Sequence, residues 1–266
     1  MPLGLVCLDV DGTLVGHTGN PTVGVWEAAD RARAAGIHLA ICTARLGRGS
    51  AWDWAGRLDP DGWHMFQTGA SIMHTGTGQK HSTPLPAGAV AQGSAIALEH
   101  DWVFEVYADT DYVVDDAREV TVAHAALLGM PFAQRALSAL RGEPLRAQYI
   151  VTDADVDLAT SQVPDGCVAS SATSPMIMGH HFVSITDASV SKASGVRSLA
   201  SLLGLDLSRV MMVGDGQNDV SALEVAGHRV AMGNAHPDAI SVANYVVTDV
   251  EHDGVAEALD LAIKLS

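Results

Sequence analysis

Basic residues are scarce in this chain: 15 Lys and Arg stand against 31 Asp and Glu, a formal charge of −16 over 266 residues. That balance argues against nonspecific binding to nucleic acid or to an anionic membrane, both of which need a basic face. No basic stripe with interleaved aromatics is present either. Aromatics make up only 5% of the chain, so Ala and Gly carry much of the apolar count. The three cysteines contain no CxxC pair and form no disulfide framework. Cys7 and Cys42 lie in apolar runs and read as small buried hydrophobes of a reducing compartment, with Cys167 far away. The N-terminal region lacks the basic segment of a signal peptide, and Asp9 and Asp11 cut its apolar run short. No run approaches the ~18 apolar residues of a membrane span. These absences lead to the expectation of a cytoplasmic protein with no membrane or nucleic-acid partner.

What is present is a globular composition. Hydrophobic residues are 48% and charged residues 17% of the chain, and the length suffices for one large core or two domains. The most informative feature is the segment Leu3-Gly4-Leu5-Val6-Cys7-Leu8 followed by Asp9-Val10-Asp11-Gly12-Thr13. A strand that delivers two carboxylates into a glycine-containing turn makes them repel and lose water unless a cation joins them. A hard divalent ion such as Mg²⁺ takes oxygen ligands and resolves the conflict.

Strand and helix patterns alternate along the first part of the chain. Leu3–Leu8 reads as a strand. Asn20-Pro21 reads as a helix start, with Asn as cap and Pro in the first turn, and the helix runs through Val23, Trp26 and Ala29 to Gly36. Ile37–Cys42 is a second strand, a helical stretch follows Arg45, and Trp63–Phe66 is a third strand. Single helices between strands predict βαβ units and a parallel sheet.

The Gly-, Thr-, Ser- and Pro-rich segment Gly76–Pro86 reads as a boundary or linker. Beyond it, Trp102–Ala108 and Tyr112–Val114 predict a hairpin around Asp109-Thr110-Asp111. Val120–Leu128 and Val156–Gln162 predict helices, and Ala147–Thr152 and Met176–Thr186 predict strands. The βα rhythm resumes with helix Lys192–Leu203, strand Val210–Val213, helix Val220–Ala226, strands Arg229–Met232 and Tyr245–Val247, and helix Gly254–Leu265. The expectation is an α/β fold: a doubly wound, Rossmann-like parallel-sheet core with an inserted α+β cap domain. The core falls in residues 1–82 and 184–266 and the cap in 83–183.

Four short stretches fall at the carboxyl ends of strands or at a helix start, where such a sheet places its chemistry. They are Asp9–Thr13, Thr43-Ala44-Arg45, Lys192, and Gly214-Asp215-Gly216-Gln217-Asn218-Asp219. Residue type suggests roles. Asp9 and Asp215 can share Mg²⁺, which orients a phosphate oxygen for in-line attack. A carboxylate can itself be the nucleophile. The Thr43 hydroxyl and Lys192 ammonium can hold phosphoryl oxygens, and the turn at Gly12 can add backbone N–H donors. Asp11 can protonate the leaving oxygen and then take a proton from water.

DVDGT, Thr43 after a strand, Lys192 opening a helix, and GDGQND resemble, in order and spacing, the four motifs of the haloacid dehalogenase superfamily. The segment between Thr43 and Lys192 is similar to the α/β cap of its Cof-type branch, and Ala231-Met232-Gly233-Asn234-Ala235 is similar to a stretch common there. The resemblance implies an Mg²⁺-dependent phosphatase with Asp9 as nucleophile and Asp11 as general acid/base. It implies Asp9, Asp11 (through its carbonyl), Asp215 and Asp219 around the metal. Thr43, Ala44, Arg45, Lys192 and Asn218 are implied on the substrate side, with Arg45 facing the cap. The acid at Asp11 suits phosphate-ester chemistry; ion-pumping relatives carry Thr there, and true dehalogenases lack the acid. A small phosphorylated metabolite, a sugar phosphate by resemblance, is the implied substrate. Two features depart from the pattern: Ala44 stands where Gly is usual, and Thr68-Gly69-Ala70 where Asn-Gly-Ala is common. A phosphosugar mutase and a noncatalytic metabolite-binding protein are the alternative readings. The sequence gives no oligomeric state.

Other conspicuous residues have plainer readings. His180-His181 are expected on a sheet surface, with no further metal ligand at suitable spacing. Trp52, Trp54 and Trp63 are expected in the core or at a cap–core contact. Arg118, Arg135, Arg141 and Arg146 are expected mostly on solvated faces.

Overall fold

The computed structural model describes residues 2–174 and 177–266. Met176, expected to open a strand, lies outside the described residues. The chain divides into two compact units: Met1–Ala44, Trp52–His81 and Ser191–Ser266 form one, and Arg45–Ala51 with Ser82–Val190 the other. The sequence reading placed residues 45–51 in the first core segment.

In chain order the strands are β1 (Leu5–Leu8), β2 (His38–Ile41), β3 (Trp63–Phe66), β4 (Ser71–His74), β5 (Lys80–Ser82), β6 (Val103–Tyr107), β7 (Tyr112–Val114), β8 (Arg146–Thr152), β9 (Cys167–Ser174), β10 (Ile177–Asp187), β11 (Val210–Gly214), β12 (His228–Ala231) and β13 (Tyr245–Val246).

The first unit is built on a five-stranded sheet of order β13-β12-β11-β1-β2. Every pairing in it is parallel, with Leu5 opposite both Val210 and His38. All four β1 residues are buried, as expected for a strand covered on both faces. On one face Leu5, Cys7, Val210 and Met212 pack against Val196, Leu199, Ala222 and Leu223, which lie on helices Lys192–Leu202 and Val220–Val225. Helices Val23–Ala34 and Gly254–Leu265 pack on each other and against β2 and β11. Helices on two sides of a parallel sheet make this a doubly wound α/β core.

Local details differ from the sequence expectation. The first helix is capped by Thr22, whose hydroxyl accepts from Val25 N at 3.2 Å, not by Asn20. Thr22 has extended backbone geometry (φ −74°, ψ 166°) and its hydroxyl stands three residues before an otherwise unpaired N–H. Gly76–Pro86 is not merely a linker, because β5 lies within it and joins the three-stranded sheet β3-β4-β5.

The second unit is a five-stranded sheet of order β7-β6-β8-β10-β9, antiparallel throughout. The expected hairpin is β6–β7, with Glu105 opposite Val114. One sheet face (Phe104, Val106, Ala147, Tyr149, Val183, Ile185) packs on Ala89, Ala97 and Ala159 of helices Ala89–His100 and Val156–Ser161. The other carries Val103, Tyr107, Val114, Ile150 and Phe182 against Ala125, Met130 and Leu46. Helix Ala89–His100 and strand β9 went unpredicted. The helix is rich in Ala with Gly93 inside it, and β9 is rich in Ser, so neither shows a clean hydrophobic period. Among the described residues no helix is long and apolar enough to cross a membrane.

Candidate active site

The site begins where β1 ends. Asp9 N donates to Val213 O at 3.0 Å, so Asp9 is still tied to the sheet as the chain turns. The turn closes through Thr13 N to Val10 O (3.3 Å), Val15 N to Val10 O (2.8 Å) and Gly12 N to Val15 O (3.0 Å). Gly12 has φ +86°, and a Cβ there would lie 2.2 Å from Asp215 Oδ2. Conformation and space both require glycine. Thr13 Oγ1 then donates to Asp215 Oδ1 at 2.8 Å, joining the first acidic turn to the one after β11.

That second turn is organised by Asp219. Its Oδ2 accepts from Asp215 N (3.1 Å) and Gly216 N (2.9 Å), and the residue is fully buried. Ser191 caps the helix that Lys192 opens through a reciprocal pair with Ser194. The Lys192 side chain is completely buried, and its Nζ donates to Asp9 Oδ1 and Asp219 Oδ1, both at 2.5 Å.

Charge at this point is unbalanced. Oxygens of Asp9, Asp215 and Asp219 lie within 4.8 Å of one another, facing one buried ammonium. Burial, reinforced by Asp219 and Asp215, raises the Asp9 carboxyl well above the usual range against the opposing pull of Lys192. Burial also raises Asp215 to about 6; the Thr13 hydrogen bond opposes this and Asp219 adds to it. Burial pushes Lys192 down, but Asp219 and Asp9 outweigh it and its pKa is raised. Three oxygen donors with excess negative charge, one of them on the half-buried Asp215, fit a hard divalent cation such as Mg²⁺.

Thr43 approaches by a different route. Its N–H donates to Met65 O at 3.0 Å, and its own carbonyl accepts from Thr68 N at 3.0 Å. Gln67, Thr68 and Gly69 all have positive φ (51°, 60° and 106°). A Cβ on Gly69 would lie 2.5 Å from Ser191 O, so this turn packs against both the Thr43 segment and the start of the Lys192 helix.

The structure thus brings together Asp9, Asp215, Asp219 and Lys192. Asp11 lies on the turn, paired as an isolated bridge with Val15, and its side chain is exposed. Asn218 is exposed within the short Gln217–Asp219 turn. Thr43 is buried, Ala44 is half-buried, and Arg45 belongs to the second unit. Sequence reasoning passed over Thr13, although it stands in the DVDGT motif itself.

It also passed over a polar row in the second unit. Glu105 accepts from Tyr107 Oη (2.5 Å) and Gln148 Nε2 (2.9 Å), and His124 Nδ1 lies 3.1 Å from its Oε1. Ser184 Oγ donates to Gln148 Oε1 at 3.3 Å. Arg146 is only 4% exposed, contrary to the solvated face expected. Its guanidinium lies 4.0 Å over the Tyr107 ring and donates to Ser184 Oγ at 3.3 Å. Strand pairing explains the row, because Glu105 stands opposite Gln148 and Gln148 opposite Ser184. Polar residues at alternate strand positions were the available sequence signal. Arg135 and Arg141 instead converge on Asp111, and His181 pairs with Asp153 at 3.1 Å. Trp54 is buried, and Trp52 lies 6.0 Å from the Phe66 ring.

A family model described as haloacid dehalogenase-like hydrolase matches residues 6–259. The chain belongs to that family, in its Cof-type branch, and is an enzyme of the phosphatase class. It is 27% identical over 271 residues to a provisionally assigned phosphatase of Streptococcus pyogenes, covering 97% of this chain and 98% of that protein. It is 26% identical over 283 residues to the 5-amino-6-(5-phospho-D-ribitylamino)uracil phosphatase YwtE of Bacillus subtilis, covering 96% of each. Among solved structures, a haloacid dehalogenase-like hydrolase from Bacteroides thetaiotaomicron shares the fold with a TM-score of 0.85. It is 22% identical and covers 97% of this chain and 99% of that one.

Proposed function

We propose that this protein hydrolyses a small phosphorylated metabolite, a sugar or polyol phosphate, through a phosphorylated Asp9. The observation that carries the reading is the buried contact of Lys192 with Asp9 and Asp219 beside Asp215. Asp9, Asp215 and the carbonyl of Asp11 would hold Mg²⁺, with Asp219 supporting that shell. The ion would supply charge neutralisation at the transferring phosphoryl group.

The chain's own residues divide the remaining work. A carboxylate oxygen of Asp9 attacks phosphorus as the ester P–O bond breaks, and Asp11 protonates the departing alkoxide. Water then attacks phosphorus of the aspartyl-phosphate, gives its proton to Asp11, and releases phosphate and a free Asp9 carboxylate. Lys192 limits the charge on Asp9 and offsets that of the phosphoryl oxygens, which Thr43, Ala44 and Asn218 help to bind. The preference for a hydroxyl-bearing substrate draws support from the ribitylaminouracil-phosphate phosphatase named among the relatives. Arg45 is assigned to the substrate side.

The test is phosphate release from a panel of sugar, polyol and other metabolite phosphates, in Mg²⁺ and in EDTA, for wild type and Asp9→Asn. Metal-dependent release that disappears in Asp9→Asn is expected. Phosphate moved within a sugar, with none set free, would indicate a mutase. Binding without turnover would indicate a noncatalytic receptor.

A further inference from the structure

The Met232–His236 turn joins the two acidic loops. Met232 N donates to Gly214 O at 3.1 Å and His236 N to Asp215 O at 2.7 Å, fixing the peptide groups on either side of Asp215. From the same turn the Asn234 side chain reaches the other loop, where Nδ2 donates to Gly12 O at 2.8 Å. Its Oδ1 accepts from Val250 N at 2.9 Å, which anchors the amide from behind. Thr13 Oγ1 to Asp215 Oδ1, at 2.8 Å, completes a ring of hydrogen bonds. The ring runs from Gly12 through Asn234 and His236 to Asp215 and back through Thr13.

We propose that Asn234 is a positioning residue that sets the Asp11–Thr13 turn against Asp215. The Gly12 carbonyl belongs to the Gly12–Thr13 peptide. Holding it fixes the rotation of that peptide, and with it the direction of the Thr13 hydroxyl toward Asp215. Gly12 makes such a tether necessary: a glycine at φ +86° is intrinsically free to swing, and nothing larger fits beside Asp215 Oδ2. Only a primary amide offers a donor to Gly12 O and an acceptor to Val250 N from one short planar group. Asp has no donor when ionised, and Ala has neither group. The activity arm of this inference rests on the phosphatase reading above; its metal-binding arm does not.

The test compares Asn234→Ala and Asn234→Asp with wild type, and with Asn244→Ala as a control. Asn244 makes comparable exposed bonds to Arg229 at 3.2 Å in another part of the same unit. Two readouts are taken: steady-state kinetics on the best ester of the panel, and the Mg²⁺ concentration that gives half of the metal-induced rise in Tm. Both Asn234 variants are expected to lose about tenfold or more in kcat, with KM changed by less than about threefold, because small displacements of reacting groups are costly. The Mg²⁺ half-point is expected to rise about fivefold or more, while the metal-free Tm stays within about 4 °C, since one exposed hydrogen bond contributes little to stability. Asn244→Ala is expected to match wild type. Unchanged kcat and Mg²⁺ half-point in Asn234→Ala would overturn the proposal. So would Asn234→Asp behaving as wild type, since it keeps the Val250 contact and loses the Gly12 one. Losses accompanied by a large fall in metal-free Tm would also overturn it, by showing a general stabilising role. If wild type releases no phosphate from any ester, the phosphatase reading fails and the Mg²⁺ half-points alone decide this one.

Discussion

Lys192 Nζ stands 2.5 Å from Asp9 Oδ1 across 183 residues of sequence, with the lysine side chain fully buried. A buried ammonium is costly unless paired, and Lys192 has a second partner in Asp219. Lys192→Met removes the cation and leaves Asp9 and Asp219 facing Asp215 without a counter-charge. It is expected to lower stability by about 3–5 kcal/mol, a fall in Tm on the order of 10 °C. Thermal unfolding in EDTA measures this. Adding Asp9→Asn to Lys192→Met should recover part of the loss, because the two residues are directly coupled. A recovery no larger than the effect of Asp9→Asn on the wild-type protein would show that their contact is energetically idle.

Asp9→Asn alone should behave in the opposite sense. Burial and the neighbouring Asp219 already hold the Asp9 carboxyl well above its ordinary pKa, so the charged form is strained in the absence of metal. An amide of the same shape removes that charge and leaves Lys192 paired with Asp219. The metal-free variant is expected to unfold at or above the wild-type Tm at pH 7, while phosphate release is abolished and the Mg²⁺-induced rise in Tm shrinks. A clearly lowered Tm in EDTA would contradict this account of the charge balance.

The parts of the molecule that were legible in sequence have one physical origin. β1, β2 and β11 are short apolar runs ending at Asp9, Thr43 and Asp215, and a parallel sheet puts such ends on one edge. That made the acidic cluster and the α/β core readable from the sequence. Thr22 displaced Asn20 as helix cap because both are good capping residues and local sequence does not choose between them. β5 was hidden in a Gly- and Thr-rich stretch because three residues pairing at a sheet edge need no hydrophobic pattern. Arg146 was misplaced because its shelter, the Tyr107 ring and Ser184, comes from two other strands. The ring through Asn234 depends on segments more than 200 residues apart meeting at Gly12, which spacing alone does not reveal.

Thr68 sits at φ 60°, ψ 19°, a region that disfavours β-branched residues. Its amide is held there by Thr43 O, and Gly69 leaves no room for the turn to relax against Ser191. Asn tolerates this conformation and keeps the same N–H. Thr68→Asn is therefore expected to stabilise the protein by about 1 kcal/mol, read as a Tm higher by roughly 2–4 °C. An unchanged or lower Tm would mean that the Thr68 side chain contributes contacts worth at least the backbone strain.

Glu105 serves as acceptor for Tyr107, Gln148 and His124 in a region closed to solvent. Glu105→Ala strands those groups and is expected to cost at least about 3 kcal/mol in chemical unfolding, more than an ordinary surface change. Glu105→Gln keeps one carbonyl acceptor and should cost distinctly less. Equal losses in the two variants would show that packing volume, not hydrogen bonding, dominates at this position.

His64 provides a pH dependence separate from the acidic site. It is fully buried; Ile41 N donates to its Nδ1 at 3.2 Å, and its Nε2 lies 3.0 Å from Asp59 O. Nδ1 must therefore be unprotonated and Nε2 must carry the hydrogen. Burial lowers the pKa from 6.5 to about 4, with Asp59 opposing the shift. Because the folded value is depressed, the unfolded chain binds the proton first as the solution is acidified. The stability contributed by neutral His64 is fully present above pH 6.5 and is lost as the pH falls toward 4. The loss amounts to about 3 kcal/mol by pH 4. Urea unfolding between pH 7.5 and 4 should show wild type losing that much more than His64→Gln, whose side chain does not titrate. Parallel curves for the two proteins would place the acid sensitivity elsewhere in the chain.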